Sequence, residues 1–294
     1  MHEWARRRPE FPTQRPGAKI PGMINSIVDP YLHRWSVNPD GPVTETPSSW
    51  LMPVRRGSSP AMLKVLKHSS DERNAAALLR YWDGDGAVRL YEEDESAVLL
   101  ERADGSRSLM AMALSGGDTQ AAEILAETVA RLYARRASNI PLRLTPLSEW
   151  FSSLYAHETV TPLLGHCAAV ARGLLATERD IVPLHGDLHH DNVLDGGERG
   201  WLAVDPKALI GERTYEVANL LGNPFPYGDI VHSPDRMQRL AQLYAARLGL
   251  PVERVLAFAL AHAGLSASWH IEEDRDPAYR LRCADILSPL VDAS

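Results

Sequence analysis

The fold is decided by a stretch that reads Leu184-His185-Gly186-Asp187-Leu188-His189-His190-Asp191-Asn192-Val193-Leu194 and then Trp201-Leu202-Ala203-Val204-Asp205-Pro206. Two short apolar runs, 192–194 and 201–204, flank a glycine-rich turn and predict a β-hairpin. An Asp precedes this hairpin, an Asn opens it, and a second Asp closes it. The rest of the chain is interpreted around this arrangement.

Asp187, Asn192 and Asp205 carry the oxygen atoms that phosphoryl transfer from Mg-ATP requires. The transition state is loose and highly charged, so catalysis depends on positioning and on charge neutralisation. Mg²⁺ prefers oxygen ligands, which Asn192 and Asp205 would supply from adjacent strands. Asp187, five residues before Asn192, would accept the proton of the acceptor hydroxyl. The catalytic loop of protein kinases has the same Asp-to-Asn spacing.

The chain before this block contains candidates for binding the phosphates of ATP. Lys64 lies among apolar residues in the predicted strand Ala61–Leu66, where its ammonium group could reach the α- and β-phosphates. Glu72, at the start of the next helix, is an ion-pair candidate for Lys64; alternatively, it only stabilises the helix N-terminus. Ser48 and Ser49, before the first strand, could donate hydroxyl and backbone groups to phosphate.

Hydrophobic periodicity divides the chain into a β-rich part and a helical part. In the first part we predict strands over Trp50–Val54, Ala61–Leu66, Ala87–Tyr91 and Ala97–Glu101, with a helix ending at Trp82. Helices are predicted in the second part over 119–136, from the N-cap Ser233 to Gly249, and over the buried segment 253–269. We therefore predict an α+β fold with a flexible tail (1–22), a nucleotide-binding N-lobe (23–103) and a catalytic, acceptor-binding C-lobe (104–294).

The charge distribution favours a small cationic partner over a nucleic acid. The formal net charge is −7, and the first 22 residues carry five basic and two acidic side chains, which leaves −10 on the remainder. An acidic surface repels nucleic acid and attracts cations. Glu212 and Glu216 are candidates for binding a cationic acceptor, as are Asp229 and the acidic residues of 272–276; the alternative is a solvated acidic surface.

Composition also predicts the setting in which the protein works. No apolar stretch reaches the ~20 residues that span a bilayer, and the basic start lacks the apolar segment of a secretory signal. Cys167 and Cys283 are predicted to be buried free thiols. We expect a cytoplasmic monomer with no membrane or nucleic-acid partner.

The motif His185-Gly186-Asp187-Leu188-His189 with Asn192 resembles the catalytic loop of the aminoglycoside phosphotransferase family. The segment from Asp205 to Glu212, followed by Ala218-Asn219-Leu220 and Asn223-Pro224, resembles its streptomycin 6-phosphotransferase and hydroxyurea phosphotransferase branch. The similarity runs from about residue 35 to the C-terminal helices. Asp205-Pro206 replaces the Asp-Phe-Gly of protein kinases and no glycine-rich loop is present, which argues against a protein substrate.

The resemblance implies a bilobal, protein-kinase-like fold with ATP in the cleft between the lobes. It assigns Asp187 as general base, Asn192 and Asp205 as Mg²⁺ ligands, and Lys64 as a phosphate ligand. The backbone from Leu100 to Ala103, with Glu101, would receive adenine. The expected reaction is transfer of the γ-phosphoryl group of ATP to the 6-hydroxyl of streptomycin, which would inactivate the antibiotic. Hydroxyurea or another small molecule is the alternative acceptor.

Two further classes of protein compete with this interpretation. A zinc-dependent hydrolase would use the acidic and histidine residues between 185 and 191, but it leaves Asn192, Asp205 and Lys64 without a role. A catalytically inactive nucleotide-binding protein is disfavoured because Lys64, Asp187, Asn192 and Asp205 are all present. His185 is predicted to support the loop rather than to transfer protons.

Overall fold

A computed structural model describes residues 21–67, 73–103, 105–134 and 143–293, with the side chains of 21–26 and 73 left out. Most of the predicted tail and Glu72 therefore lie outside the described residues. The first helix, α1, begins at Pro21, at the end of the segment predicted as a tail.

A six-stranded antiparallel sheet forms the N-terminal lobe, with strand order β1-β3-β4-β6-β5 and β2 paired to β3. Its elements are α1 (Pro21–Arg34), β1 (Asn38–Pro39), β2 (Thr44–Glu45), β3 (Ser49–Arg56), β4 (Ser59–Leu66), α2 (Arg73–Trp82), β5 (Leu90–Glu93) and β6 (Ala97–Glu101). The predicted hairpin is present as β3 and β4, joined at the Gly57 turn.

Alternation along β4 places different side chains on the two faces of this sheet. Leu63 and Val65 face a core shared with α1, whereas Met62 packs against the larger core that contains α2. Lys64 is on the same face as Met62 because successive side chains of a strand point to opposite sides. This alternation turns the lysine toward the second lobe.

The prediction for residues 87–91 is only partly confirmed. Strand β5 begins at Leu90, and the preceding residues leave the sheet to join the other lobe. The amide of Val88 donates to the carbonyl of Ala203 at 3.0 Å, and the amide of Ala203 donates to Gly86 at 2.8 Å. The segment therefore bridges both lobes behind the predicted catalytic hairpin.

Helices dominate the second lobe, as the periodicity predicts. Its elements are α3 (Leu109–Met112), α4 (Asp118–Ala134), β7 (Thr145–Pro146), α5 (Leu147–Trp150), α6 (Ser152–Ala156), α7 (Pro162–Leu175), β8 (Ile181–Leu184), β9 (Val193–Asp195), β10 (Trp201–Ala203), β11 (Leu209–Glu212), α8 (Ala218–Leu221), α9 (Gly228–Val231), α10 (Pro234–Leu248), α11 (Val252–Glu272) and α12 (Ala278–Asp292). Strands β9 and β10 pair as the predicted hairpin, and β11 pairs with β7 and β8.

The core of this lobe forms around α11, which is buried along most of its length. Ser233 caps α10, and Gly249 ends it in the left-handed conformation with φ 63°, as glycine does at many helix C-termini. Cys167 and Cys283 are buried free thiols, as predicted. Within the described ranges, the helices are all too short or too polar to cross a membrane.

Candidate active site

The segment between β8 and β9 forms the predicted catalytic loop, and Gly186 allows its sharp turn. Gly186 has φ 81°, and a Cβ at this position would lie 2.6 Å from Cδ1 of Leu209. Both the backbone conformation and the close approach of β11 require glycine here. The loop is thus pressed against the sheet that β8 and β11 form.

Glu216 fixes the backbone of this turn from below. Its Oε2 accepts from the amide of His185 at 2.8 Å and from the hydroxyl of Tyr133 at 2.6 Å, and its Oε1 accepts from Gly186 at 3.0 Å. Glu216 is only 2% exposed, and this burial raises the pKa of its carboxyl above the ordinary value. Glu216 therefore anchors the predicted catalytic loop by two buried backbone hydrogen bonds and is itself held by the hydroxyl of Tyr133 in α4.

His185 supports the loop, as its sequence context predicts. Its Nε2 donates to the carbonyl of Val204 at 2.7 Å, its Nδ1 accepts from the amide of Asp187 at 3.3 Å, and its ring stacks on Trp82. Complete burial lowers the pKa of His185 to about 3, so the imidazole is neutral. Because both ring nitrogens are occupied, His185 has none left for a zinc ion.

Asp187 lies at the edge of the cleft with its side chain about one-third exposed. Its Oδ1 accepts from Nδ2 of Asn219 at 3.1 Å, and Nζ of Lys207 is 4.0 Å from its Oδ2. Desolvation raises the pKa of Asp187, although the nearby positive charges, including Lys207 and Arg280, oppose this effect. An accessible carboxylate with a raised pKa is a suitable proton acceptor.

A chain of hydrogen bonds connects Asp187 to α4. Asn219 is held by Nδ2 of Asn223 at 2.8 Å, and the carbonyl of Asn223 accepts from Nη2 of Arg236 at 2.8 Å. Arg236 in turn forms two hydrogen bonds to Asp118, of 3.0 and 2.7 Å. The family-like segment 218–224 thus contributes Asn219 to the site, a residue to which the sequence interpretation gave no role.

Lys64, Asp205 and Asn192 are the residues predicted to form the nucleotide side of the site. Nζ of Lys64 lies 2.9 Å from Oδ1 of Asp205, whose side chain is 45% exposed. Nδ2 of Asn192 donates to the carbonyl of Asp187 at 2.8 Å, which leaves its amide oxygen as an acceptor. Amide and carboxylate oxygens fit Mg²⁺, which takes one or two such protein ligands together with phosphate oxygens.

The remaining residues predicted to bind the nucleotide have different surroundings. Ser48 is exposed and lines the cavity that also contains Lys207, whereas Ser49 is buried and its amide and hydroxyl both contact Oγ1 of Thr46. The donors of Ser49 therefore stabilise the turn itself. Glu101 ends β6, its carboxylate pairs with Arg199, and Ala103 follows in the linker between the lobes.

The structure corrects the prediction that Glu212 and Glu216 line the acceptor site. Glu212 is 1% exposed and pairs with Arg254 of α11, with Nε of the arginine 2.7 Å from Oε1. Glu216 lies under the catalytic loop, as described above. Both carboxylates satisfy buried donors inside the lobe and cannot reach a ligand in the cleft.

A cavity of about 620 Å³ opens beside Lys207 and offers other acidic residues. We call it the acceptor cavity; its lining consists of Ser48, Thr145, Glu149, Trp150, Ser152, Ser153, Ala156, Lys207, Trp269 and Glu272. Of these residues, Glu272 was a candidate from the sequence. Glu149 and Trp150 were missed, because no local pattern links helix α5 to the end of α11.

The zinc-hydrolase alternative finds no site in the described part of the chain. Among residues 21–67, 73–103, 105–134 and 143–293, no group of three or more His, Cys, Asp or Glu side chains is arranged to hold a metal ion. His189 also uses Nδ1 to accept from the amide of Asp191 at 3.2 Å. The histidines near Asp187 thus shape the loop.

Comparison with known families and proteins agrees with this geometry. Residues 34–274 match the family described as aminoglycoside/hydroxyurea antibiotic resistance kinase. The chain is 45% identical over 243 residues to a streptomycin 3''-kinase of Klebsiella pneumoniae, covering 82% of this chain and 91% of the relative. It is 33% identical over 268 residues to a hydroxyurea phosphotransferase of Kitasatospora aureofaciens, covering 86% and 75% of the two chains. It is 32% identical over 271 residues to a streptomycin 6-kinase of Streptomyces griseus, covering 87% and 84%.

Solved structures confirm the bilobal kinase-like fold. A choline/ethanolamine kinase family protein from Mesorhizobium loti superposes with a TM-score of 0.64 at 16% identity, covering 90% of this chain and 97% of the other. An aminoglycoside phosphotransferase in complex with AMP-PNP and hygromycin B gives a TM-score of 0.61 at 15% identity, covering 90% and 98%. At these identities the similarity concerns the fold alone.

Proposed function

The chain belongs to the aminoglycoside/hydroxyurea antibiotic resistance kinase family, a family of small-molecule phosphotransferases, and we propose that it transfers the γ-phosphoryl group of ATP to a hydroxyl of streptomycin. One observation carries this proposal. Lys207 lines the acceptor cavity, and its Nζ lies 4.0 Å from Oδ2 of Asp187, the proposed base. An acceptor hydroxyl in this cavity would therefore lie close to Asp187.

In the proposed reaction Asp187 accepts the proton of the acceptor hydroxyl. The hydroxyl oxygen forms a bond to the γ-phosphorus while the bond from this phosphorus to the bridging β-γ oxygen breaks, and ADP leaves. Glu216 and Asn219 orient Asp187, and Lys64 binds the phosphates. Asn192 and Asp205 would hold Mg²⁺, which supplies charge neutralisation on the phosphate oxygens when bound.

Two hydroxyl groups of streptomycin are candidates for the acceptor. The 45% identity to a streptomycin 3''-kinase favours the 3''-hydroxyl, whereas the 32% identity to a streptomycin 6-kinase keeps the 6-hydroxyl as the second candidate. We therefore propose position 3'' in place of the position 6 expected from the sequence. Because ATP is available inside the cell, we also propose that the enzyme acts in the cytoplasm.

The test is ADP release coupled to streptomycin, with Mg-ATP and the Asp187→Asn variant as control. We expect streptomycin-dependent ADP release that falls by at least about 10²-fold in the variant, since a general base contributes 10²–10⁴-fold. Phosphorus NMR of the product distinguishes the 3'' from the 6 position. If hydroxyurea alone supports ADP release, the acceptor assignment is wrong; if Asp187→Asn keeps full turnover, the mechanism is wrong.

A further inference from the structure

The acceptor cavity presents two carboxylates with little neutralising charge from the protein. Among the described residues, the carboxylate of Glu149 has no hydrogen-bond or ion-pair partner. Glu272 has only Nδ1 of His157, 3.8 Å away, and that nitrogen already contacts the carbonyl of Ser153 at 2.9 Å. Lys207 is the one cation among the described lining residues, and its Nζ lies 4.0 Å from Oδ2 of Asp187. The two carboxylates are therefore suited to a positive group in the cavity.

Two indole rings form the wall beside these carboxylates. Trp150 and Trp269 meet edge to face, with centroids 5.0 Å apart and planes at 70°. Nε1 of Trp150 donates to the hydroxyl of Tyr215 at 2.8 Å, and this hydroxyl contacts Nδ1 of His262 at 2.9 Å. The indole N–H of Trp150 is thus used inside the protein. The ring is thereby fixed in the cavity wall, and the π surface of an indole attracts cations.

Ser153 gives an independent sign that a ligand binds here. Its side chain lines the cavity, the residue is 8% exposed, and its hydroxyl oxygen has no partner among the described residues. Buried polar atoms in native proteins are nearly always satisfied, and each exception needs an explanation. Ser153 is such an exception, and it stands in the wall of this cavity.

From these three features we infer that the acceptor cavity is a guanidinium-binding subsite. A guanidinium group is planar, stacks on aromatic rings and presents its N–H donors in a fork that matches a carboxylate. An ammonium group is compact and strongly hydrated, and it gains less from an indole wall. The carboxylates of Glu149 and Glu272 would accept hydrogen bonds from the guanidinium N–H groups, and the two tryptophans would contact the guanidinium plane. This subsite selects guanidino acceptors over aminoglycosides that carry amines alone.

The inference rests on the proposed function for its acceptor, but it is tested by binding without catalysis. The probes are streptidine, the diguanidino ring of streptomycin, and streptamine, which has the same ring with two amines. Calorimetry on the full chain with AMP-PNP and Mg²⁺ measures both affinities. We expect streptidine to bind at least about tenfold more tightly than streptamine, and Glu149→Gln or Glu272→Gln to weaken streptidine by about tenfold each.

The matched control is Glu273→Gln, which changes the neighbouring exposed carboxylate outside the cavity. This variant should bind streptidine as the unmodified protein does. Equal affinity for the two probes, or equal effects of the three Glu→Gln variants, overturns the inference. If streptidine is preferred but streptomycin is not phosphorylated, the subsite stands and the proposed function fails. If streptomycin is phosphorylated without such preference, the subsite alone fails.

Discussion

Replacing Glu216 tests whether the catalytic loop depends on a buried carboxylate. In Glu216→Ala, the amides of His185 and Gly186 and the hydroxyl of Tyr133 lose their acceptor. A buried donor without a partner costs about 1–3 kcal/mol. The loss is partly offset because the desolvated carboxylate, whose pKa is raised by burial, is also removed. We therefore expect a decrease of about 3–5 kcal/mol in the free energy of unfolding.

Two milder variants separate the contributions of the hydrogen bonds. Tyr133→Phe removes only the hydroxyl donor and should lower the free energy of unfolding by about 1–2 kcal/mol, with turnover nearly unchanged. Glu216→Gln keeps one oxygen but turns an amide N–H₂ toward one backbone N–H, so the turn must shift. Because a displacement of about 1 Å can reduce the rate about 100-fold, we expect kcat to fall at least tenfold while KM for the acceptor changes little.

Urea denaturation and steady-state kinetics measure these effects on the same preparations. The result that refutes the reasoning is a Glu216→Gln protein with normal stability and normal kcat. A different result, a raised acceptor KM with unchanged kcat, would return Glu216 to the acceptor-binding role that the sequence suggested. The two roles are thus distinguished by which kinetic parameter moves.

Three other predictions concern the metal, acid stability and α4. Removal of Mg²⁺ by EDTA should abolish ADP release, and added Mg²⁺ should restore it. Asp205→Asn should raise the Mg²⁺ concentration required for activity at least about tenfold. An unchanged Mg²⁺ dependence in this variant would contradict the assignment of Asp205 as a ligand. Burial lowers the pKa of His262 from 6.5 to about 3. Below pH 6.5 the unfolded chain therefore binds a proton that the folded protein does not bind. The free energy of unfolding falls as a result, by about 2 kcal/mol at pH 5. His262→Gln should reduce this pH dependence of unfolding, and an identical slope would refute the assignment. Asp118→Asn leaves the buried Arg236 without its charge partner and should cost about 3 kcal/mol by urea denaturation; a cost below about 0.5 kcal/mol would show that the pair is dispensable.

Much of the fold was predictable because its signals are local. The hairpin of β3 and β4 follows from two apolar runs around a Gly turn, and α10 follows from a Ser N-cap and a Gly after its last residue. The strand predicted over 87–91 was less accurate, because its first residues pair with Ala203 of the other lobe. A hydrophobic pattern indicates an extended segment but does not indicate which sheet it joins.

The sequence by itself determined the order of the proposed catalytic groups. Asp187, Asn192 and Asp205 lie within 19 residues, and a loop followed by a hairpin brings such neighbours together whatever surrounds them. The tertiary structure alone decided which carboxylates line the proposed acceptor cavity. Glu212 and Glu216 are close to Asp187 in sequence. Glu212 is nevertheless buried against α11, and Glu216 is buried under the loop. Glu149 and Glu272 are separated by more than 100 residues. They line one cavity because α5 packs against the end of α11, which is a long-range contact.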